Sequence, residues 1–87
     1  MQSNFRIEIF KEDEQYVAVA PELNVSSFAD SPDEAKSAIA EAAQLFLEEC
    51  KRMGTFEDVL TEAGFKFEKS LWQAPSPLVT ERISLAI

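Results

Sequence analysis

Two hydrophobic periods follow one another along this chain, and the passage from one to the other organises the rest. Phe5, Ile7 and Ile9 alternate with Arg6 and Glu8, the period-two signature of a strand with one face in a core. Residues 11–15 are charged and contain neither Gly nor an Asn-Gly pair, which predicts a loose hairpin loop rather than a tight two-residue turn. Residues 16–20, Tyr-Val-Ala-Val-Ala, are apolar on both faces. That pattern predicts a central strand, covered by a helix on one side and by something else, such as another subunit, on the other. Pro21 then removes a ladder donor, Asn24 tolerates the left-handed conformation of a tight turn, and residues 25–29 read as a third strand.

The period changes at Ser31-Pro32-Asp33-Glu34. Ser31 is a natural N-cap, Pro32 fits the first helical position, and Glu34 completes a capping box three residues after the cap. Beyond it Ala35, Ala38, Ile39, Ala42, Leu45, Phe46, Cys50 and Met53 recur at helical spacing, predicting an amphipathic helix over 32–53 that stops at Gly54. Thr55 opens a short second helix with Phe56, Val59, Leu60 and Ala63 on one face, closed by Gly64. Phe65 and Phe67 alternate with Lys66 and Glu68 as a fourth strand running towards Leu71 and Trp72, which would complete the sheet. Pro75 and Pro77 end regular structure, and in the arm beyond them Val79, Glu81, Ile83, Leu85 and Ile87 share one side of a fifth strand. The fold class expected is α+β, one domain over 1–87, a small antiparallel sheet on one long helix in the order β-β-β-α-short α-β-β, with 74–87 as a C-terminal arm.

Composition narrows function more than it names it. The 87 residues carry 16 acids against 8 bases and no His, a net charge of −8, so the surface repels phosphate backbones and direct nucleic-acid binding is not expected. The same field suits a basic protein partner. Without His, and with the lone Cys50 on the apolar helix face, imidazole or thiolate metal sites and Ser-His or Cys-His nucleophiles have no support, and two glycines make no phosphate-cradling loop. The carboxylates of Asp30, Asp33 and Glu34 gather at a helix start, where they complement the helix dipole. No enzyme activity, cofactor or metal is therefore expected. Trp72 and Tyr16 are read as core aromatics. A single cysteine, no leader pattern and no membrane-spanning apolar run fit a cytoplasmic protein.

Tyr16-Val17-Ala18, Pro21-Glu22-Leu23 and Ala29-Asp30-Ser31-Pro32-Asp33-Glu34-Ala35 followed by an Ala-rich helix resemble the HicB antitoxin family, over roughly residues 5–67. Asn24 and Ala29 stand where the family usually has Gly; the second replacement suits only a negative φ. The resemblance implies a partial ribonuclease H-like fold without ribonuclease activity. It also implies a type II toxin–antitoxin role, masking a small basic messenger-RNA-cleaving toxin of the HicA kind. The helix-turn-helix or ribbon-helix-helix domain of many members is not found in these 87 residues, and 80–87 resemble at most a ribbon strand.

An antitoxin-like interaction protein is thus the expected function. The alternative is a solitary HicB-like homo-oligomeric module, regulatory or ligand-binding, without a toxin partner; a degenerate nuclease is a distant third. Exposed acids that steer a basic partner are sought at Glu12, Asp13 and Glu14 in the hairpin loop and at Glu22 and Asp30 near strand ends. Val79, Ile83, Leu85 and Ile87 are the expected oligomer contact, an apolar stripe that adds an edge strand across a two-fold axis in a homodimer or dimer of dimers.

Overall fold

A computed structural model describes residues 2–87. Its class is α+β, with β1 (Gln2–Asn4), β2 (Glu8–Glu12), β3 (Gln15–Ala20), a 3-10 turn (Pro21–Leu23), β4 (Val25–Ala29), α1 (Pro32–Arg52), α2 (Phe56–Glu62), β5 (Lys66–Glu68) and β6 (Leu71–Gln73). The strands form two sheets rather than the single one expected. β2, β3 and β4 make an antiparallel sheet with β3 central, while β6 lies between β1, parallel to it, and β5, antiparallel to it. β1 carries no apolar alternation, and it exists because residues 2–4 find the ladder of residues 71–73. The strand expected around residues 5–9 therefore divides: Phe5 and Ile7 pack against the core between the sheets, and β2 runs on into Lys11 and Glu12, residues assigned above to a loop.

That extension makes the β2–β3 connection a tight turn of Asp13 and Glu14, because Glu12 pairs directly with Gln15. Asp13 has φ +55°, a left-handed conformation that Asp adopts more readily than most residues, so the turn forms without glycine. Asn24 behaves as its chemistry predicts, at φ 55°, ψ 42°, closing the 3-10 turn between β3 and β4. Ala29 stays outside the positive-φ region, so the residue that replaces a family glycine is unstrained.

The strand-to-helix joint is built as the sequence predicts. Ser31 Oγ accepts from the Glu34 backbone N–H at 3.1 Å. The return contact differs from a full capping box: the Ser31 hydroxyl donates to Glu34 Oε1 at 2.9 Å. Both helices end in the paired bonds of a Schellman motif. Thr55 N–H reaches Cys50 O and Gly54 N–H reaches Lys51 O; Phe65 N–H reaches Leu60 O and Gly64 N–H reaches Thr61 O. Gly54 and Gly64 take the left-handed φ that these closures require, +76° and +90°. In the last turn of α1 the Arg52 guanidinium grips Glu49, holding that carboxyl below its ordinary range and raising the arginine above its own.

The core lies between α1 and the inner face of the β2–β3–β4 sheet and continues under α2. Ala18, Ala20, Ala35, Ile39 and Leu60 are sealed, joined by Leu23, Ala43, Cys50, Phe56, Phe65 and Trp72. Small residues on β3 and α1 let helix and sheet approach closely, and Trp72 fills the far end, edge-on to Phe56 with ring centres 6.2 Å apart. Two helix positions depart from expectation. Leu45 and Met53 face solvent, while Ala43 is sealed and Leu47 packs on the core, because the buried line follows 35, 39, 43 and 50 around the helix.

The arm beyond Gln73 holds no strand in the single chain; the fifth strand expected there is not formed, and Leu78, Val79, Ile83, Leu85 and Ile87 are exposed. A ladder needs a partner strand, and alternation alone does not supply one. The Cα radius of gyration is 14.9 Å. A compact chain of this length would measure about 12 Å, so the arm stands off the body. Among the described residues, no helix is long and apolar enough to cross a membrane.

Candidate functional site

Strand register assigns the two faces of the β2–β3–β4 sheet. Ala18 pairs with Ile9 and Ser27, and Ala20 with Val25; this side meets α1. On the opposite side one cross-strand row reads Phe10, Val17, Phe28, and the next reads Glu8, Val19, Ser26. Directly opposed side chains on one face touch, so the two phenylalanines flank Val17 as a stripe across all three strands. Phe10 is 52% exposed and Phe28 65%. Burial would have been the cheaper fate for two aromatic rings in one row, and an apolar patch rimmed by polar groups is the surface that protein partners use.

Acids border this stripe. Glu8 and Glu12 lie on the same side of β2 as Phe10, two residues before and after it, and Asp13 and Glu14 form the exposed hairpin tip beyond Glu12. Asp30 is exposed just past the end of β4. Three of the acids expected as partner contacts, Glu12, Asp13 and Glu14, are thus brought together at one end of the aromatic row, with Asp30 following the strand that carries Phe28. Glu22 is elsewhere. Its side chain is only 8% exposed and engages Arg6, whose backbone N–H donates to Oε1 at 3.4 Å and whose guanidinium lies 3.7 Å from Oε2. That carboxylate belongs to the packing between the sheets and does not face a partner.

Phe10 and Phe28 were not singled out from the sequence. The signal available was residues 16–20, apolar on both faces, with a second face that nothing among the described residues covers. Ending the first strand at Ile9 placed Phe10 outside the sheet and hid its row. The expected oligomer residues Val79, Ile83, Leu85 and Ile87 lie apart from this face, on the arm.

A cleft of about 430 Å³ opens between β1, α1 and the start of α2, with Phe5, Leu47 and Phe56 on its walls. Its polar groups Gln44, Glu48 and Lys51 follow one another along a single helix face, and Gln44 Nε2 donates to Glu48 Oε2 at 3.3 Å. They form a solvated helix surface and do not converge on a point where a reacting atom could sit. Among the described residues no three His, Cys, Asp or Glu side chains gather as a metal site. What the described residues do build on this sheet face is an exposed apolar row, Phe10–Val17–Phe28, with acidic residues at its border. No protein-family model, curated protein or solved structure matches the chain.

Proposed function

We propose that this protein acts by binding and not by catalysis, as an antitoxin-like interaction protein of the HicB kind whose partner is a small basic protein of the HicA kind, met in the cytoplasm. The observation that carries the reading is the exposed Phe10–Val17–Phe28 row bordered by Glu8, Glu12 and the Asp13–Glu14 tip. Aromatic rings supply the apolar anchors that dominate binding energy, and carboxylates supply the steering field for a cationic surface. A net charge of −8 extends that field over the whole molecule. Masking a nucleic-acid-cleaving surface needs a partner whose charge mimics the substrate's, and an acidic sheet face meets that need.

The test begins with the genome. A small basic open reading frame beside this gene is expected, its product arresting growth when expressed alone and growth recovering when the two are co-expressed. A neighbour whose toxicity is untouched by co-expression overturns the proposal. The alternative, a solitary homo-oligomeric module, gains from one feature, the exposed aliphatic arm, which is suited to a second copy and carries Glu81 and Arg82 in balance rather than a net charge.

A further inference from the structure

The β2–β3–β4 sheet has two open edges, and they are not alike. β2 presents Glu8, Lys11 and Glu12, charges of the kind that discourage a further strand from pairing. β4, Val-Ser-Ser-Phe-Ala, has none. Beside β4 a shallow, open groove runs along α1, formed by Ala29, Ser37 and Ala38 and bordered by Asp33, Glu34 and Glu41. On the other side of the same edge stands Phe28.

The arm fits this edge in one orientation. As an extended strand, residues 78–87 put Val79, Glu81, Ile83, Leu85 and Ile87 on one side and Leu78, Thr80, Arg82, Ser84 and Ala86 on the other. With the aliphatic side next to Phe28, the small residues cover the Ala29–Ala38 groove and Arg82 meets its three carboxylates. Turned over, Glu81 would be added to those three carboxylates, Ile83 and Leu85 would face them, and Arg82 would be taken away from them. At about 3.3 Å per residue the arm is longer than the edge it would pair with.

In the single chain the arm does not take this place. It leaves the body at Pro75–Pro77, beside Arg6 and Glu22, and carries its aliphatic residues out into solvent. We propose that residues 78–87 of a second copy add to β4 as a fourth, outer strand, with the two copies exchanging arms about a two-fold axis. The exchange pairs an uncharged edge and covers an aliphatic stripe in both copies at once, through one self-complementary contact. This proposal does not rest on the toxin partner. Phe10 and Glu12 share a face with Phe28 but lie on β2, at the opposite edge of the sheet from β4, so an arm added to β4 leaves them and the hairpin tip open.

The experiment uses the full chain. Light scattering is expected to give twice 9.8 kDa. In a sample mixed equally from isotope-labelled and unlabelled protein, isotope-filtered nuclear Overhauser spectra are expected to connect the Ile83 and Leu85 methyls with the Phe28 ring of the other chain. Ile83→Asp alters an exposed side chain, so folding is retained, and it is expected to raise the dimer dissociation constant at least about tenfold. A monomeric mass, arm-to-Phe28 contacts within one chain or missing from a dimer, or an Ile83→Asp protein that dimerises as before, would each overturn the proposal.

Discussion

Arg6 and Glu22, sixteen positions apart, meet where the chain crosses from one sheet to the other, and their contact is an ion pair in which the carboxylate is enclosed and the guanidinium reaches solvent. Oε1 receives the Arg6 backbone N–H, whereas the buried Oε2 has only the guanidinium 3.7 Å away and accepts no hydrogen bond among the described residues. Arg6→Met leaves that carboxylate enclosed without its counter-charge and is expected to destabilise the fold by about 1–3 kcal/mol. Adding Glu22→Gln to it removes the orphaned charge and should recover most of the loss. Urea unfolding of the four proteins in this cycle measures the coupling; additive losses would show that the two side chains act independently.

On α1 the contrast between Ile39 and Leu45 tests the assigned buried face. Ile39 is sealed between helix and sheet, so Ile39→Ala is expected to lose about 2–5 kcal/mol, the ordinary range for opening a cavity at a buried aliphatic. Leu45 stands in solvent, and Leu45→Lys should leave stability within about 0.5 kcal/mol. Thermal denaturation of both separates the two faces, and a large loss on Leu45→Lys would mean that this side of the helix is covered.

Those two residues also show how far the sequence speaks. Both are large, aliphatic and at plausible helical spacing, and only the phase of the whole buried line tells them apart. The features legible in advance are those in which a residue acts on its own backbone neighbourhood: Ser31 as a cap, Gly54 and Gly64 as helix ends, Asn24 in the left-handed region. What stayed hidden depends on a partner far along the chain. Gln2–Asn4 is a strand only because Leu71–Gln73 lies beside it, and the alternating residues of the arm have no such neighbour in one copy. Half of the candidate face was legible in the same way, since Glu12, Asp13 and Glu14 announce themselves by charge, whereas Phe10 and Phe28 acquire meaning only when register sets them in one row.

The β5–β6 turn holds local strain that substitution can relieve. Lys69 and Ser70 have φ of +54° and +62°, left-handed values natural to Asn-Gly in a two-residue hairpin turn and unfavourable for these side chains. Ser70→Gly combined with Lys69→Asn is expected to stabilise the protein by about 1 kcal/mol. For a domain of this size that raises the melting temperature by about 4–8 °C. A melting temperature that stays level or falls would show that the native side chains compensate the backbone through contacts of their own.

Charge at the hairpin tip should act on the rate of association with a basic partner. Replacing Glu12 and Glu14 by Lys and Asp13 by Asn leaves the fold intact, because all three are exposed and Asn tolerates the left-handed φ of +55° that the turn requires at position 13. Stopped-flow mixing with the basic neighbouring gene product is expected to show an association rate lower by about tenfold or more at low salt, with a flatter dependence on ionic strength. Dissociation should change less. An unaltered rate and salt slope would take the tip out of the steering field.

The aromatic row should act on the lifetime of the same complex instead. Phe10 and Phe28 are half-exposed or more in the free protein, so Phe10→Thr and Phe28→Thr keep residues suited to a strand and are expected to change the unfolding free energy by less than about 1 kcal/mol. In a complex that covers this face, each ring becomes a buried anchor worth about 2 kcal/mol or more, roughly thirty-fold in affinity, expressed mainly as faster dissociation. Phe10→Thr is the more telling of the two, because Phe28 also borders the edge assigned to the arm of a second copy, and its loss can weaken both contacts. A Phe10→Thr protein that folds normally, keeps its mass in solution and holds the basic partner as long as the parent does would show that the partner is bound elsewhere on the molecule.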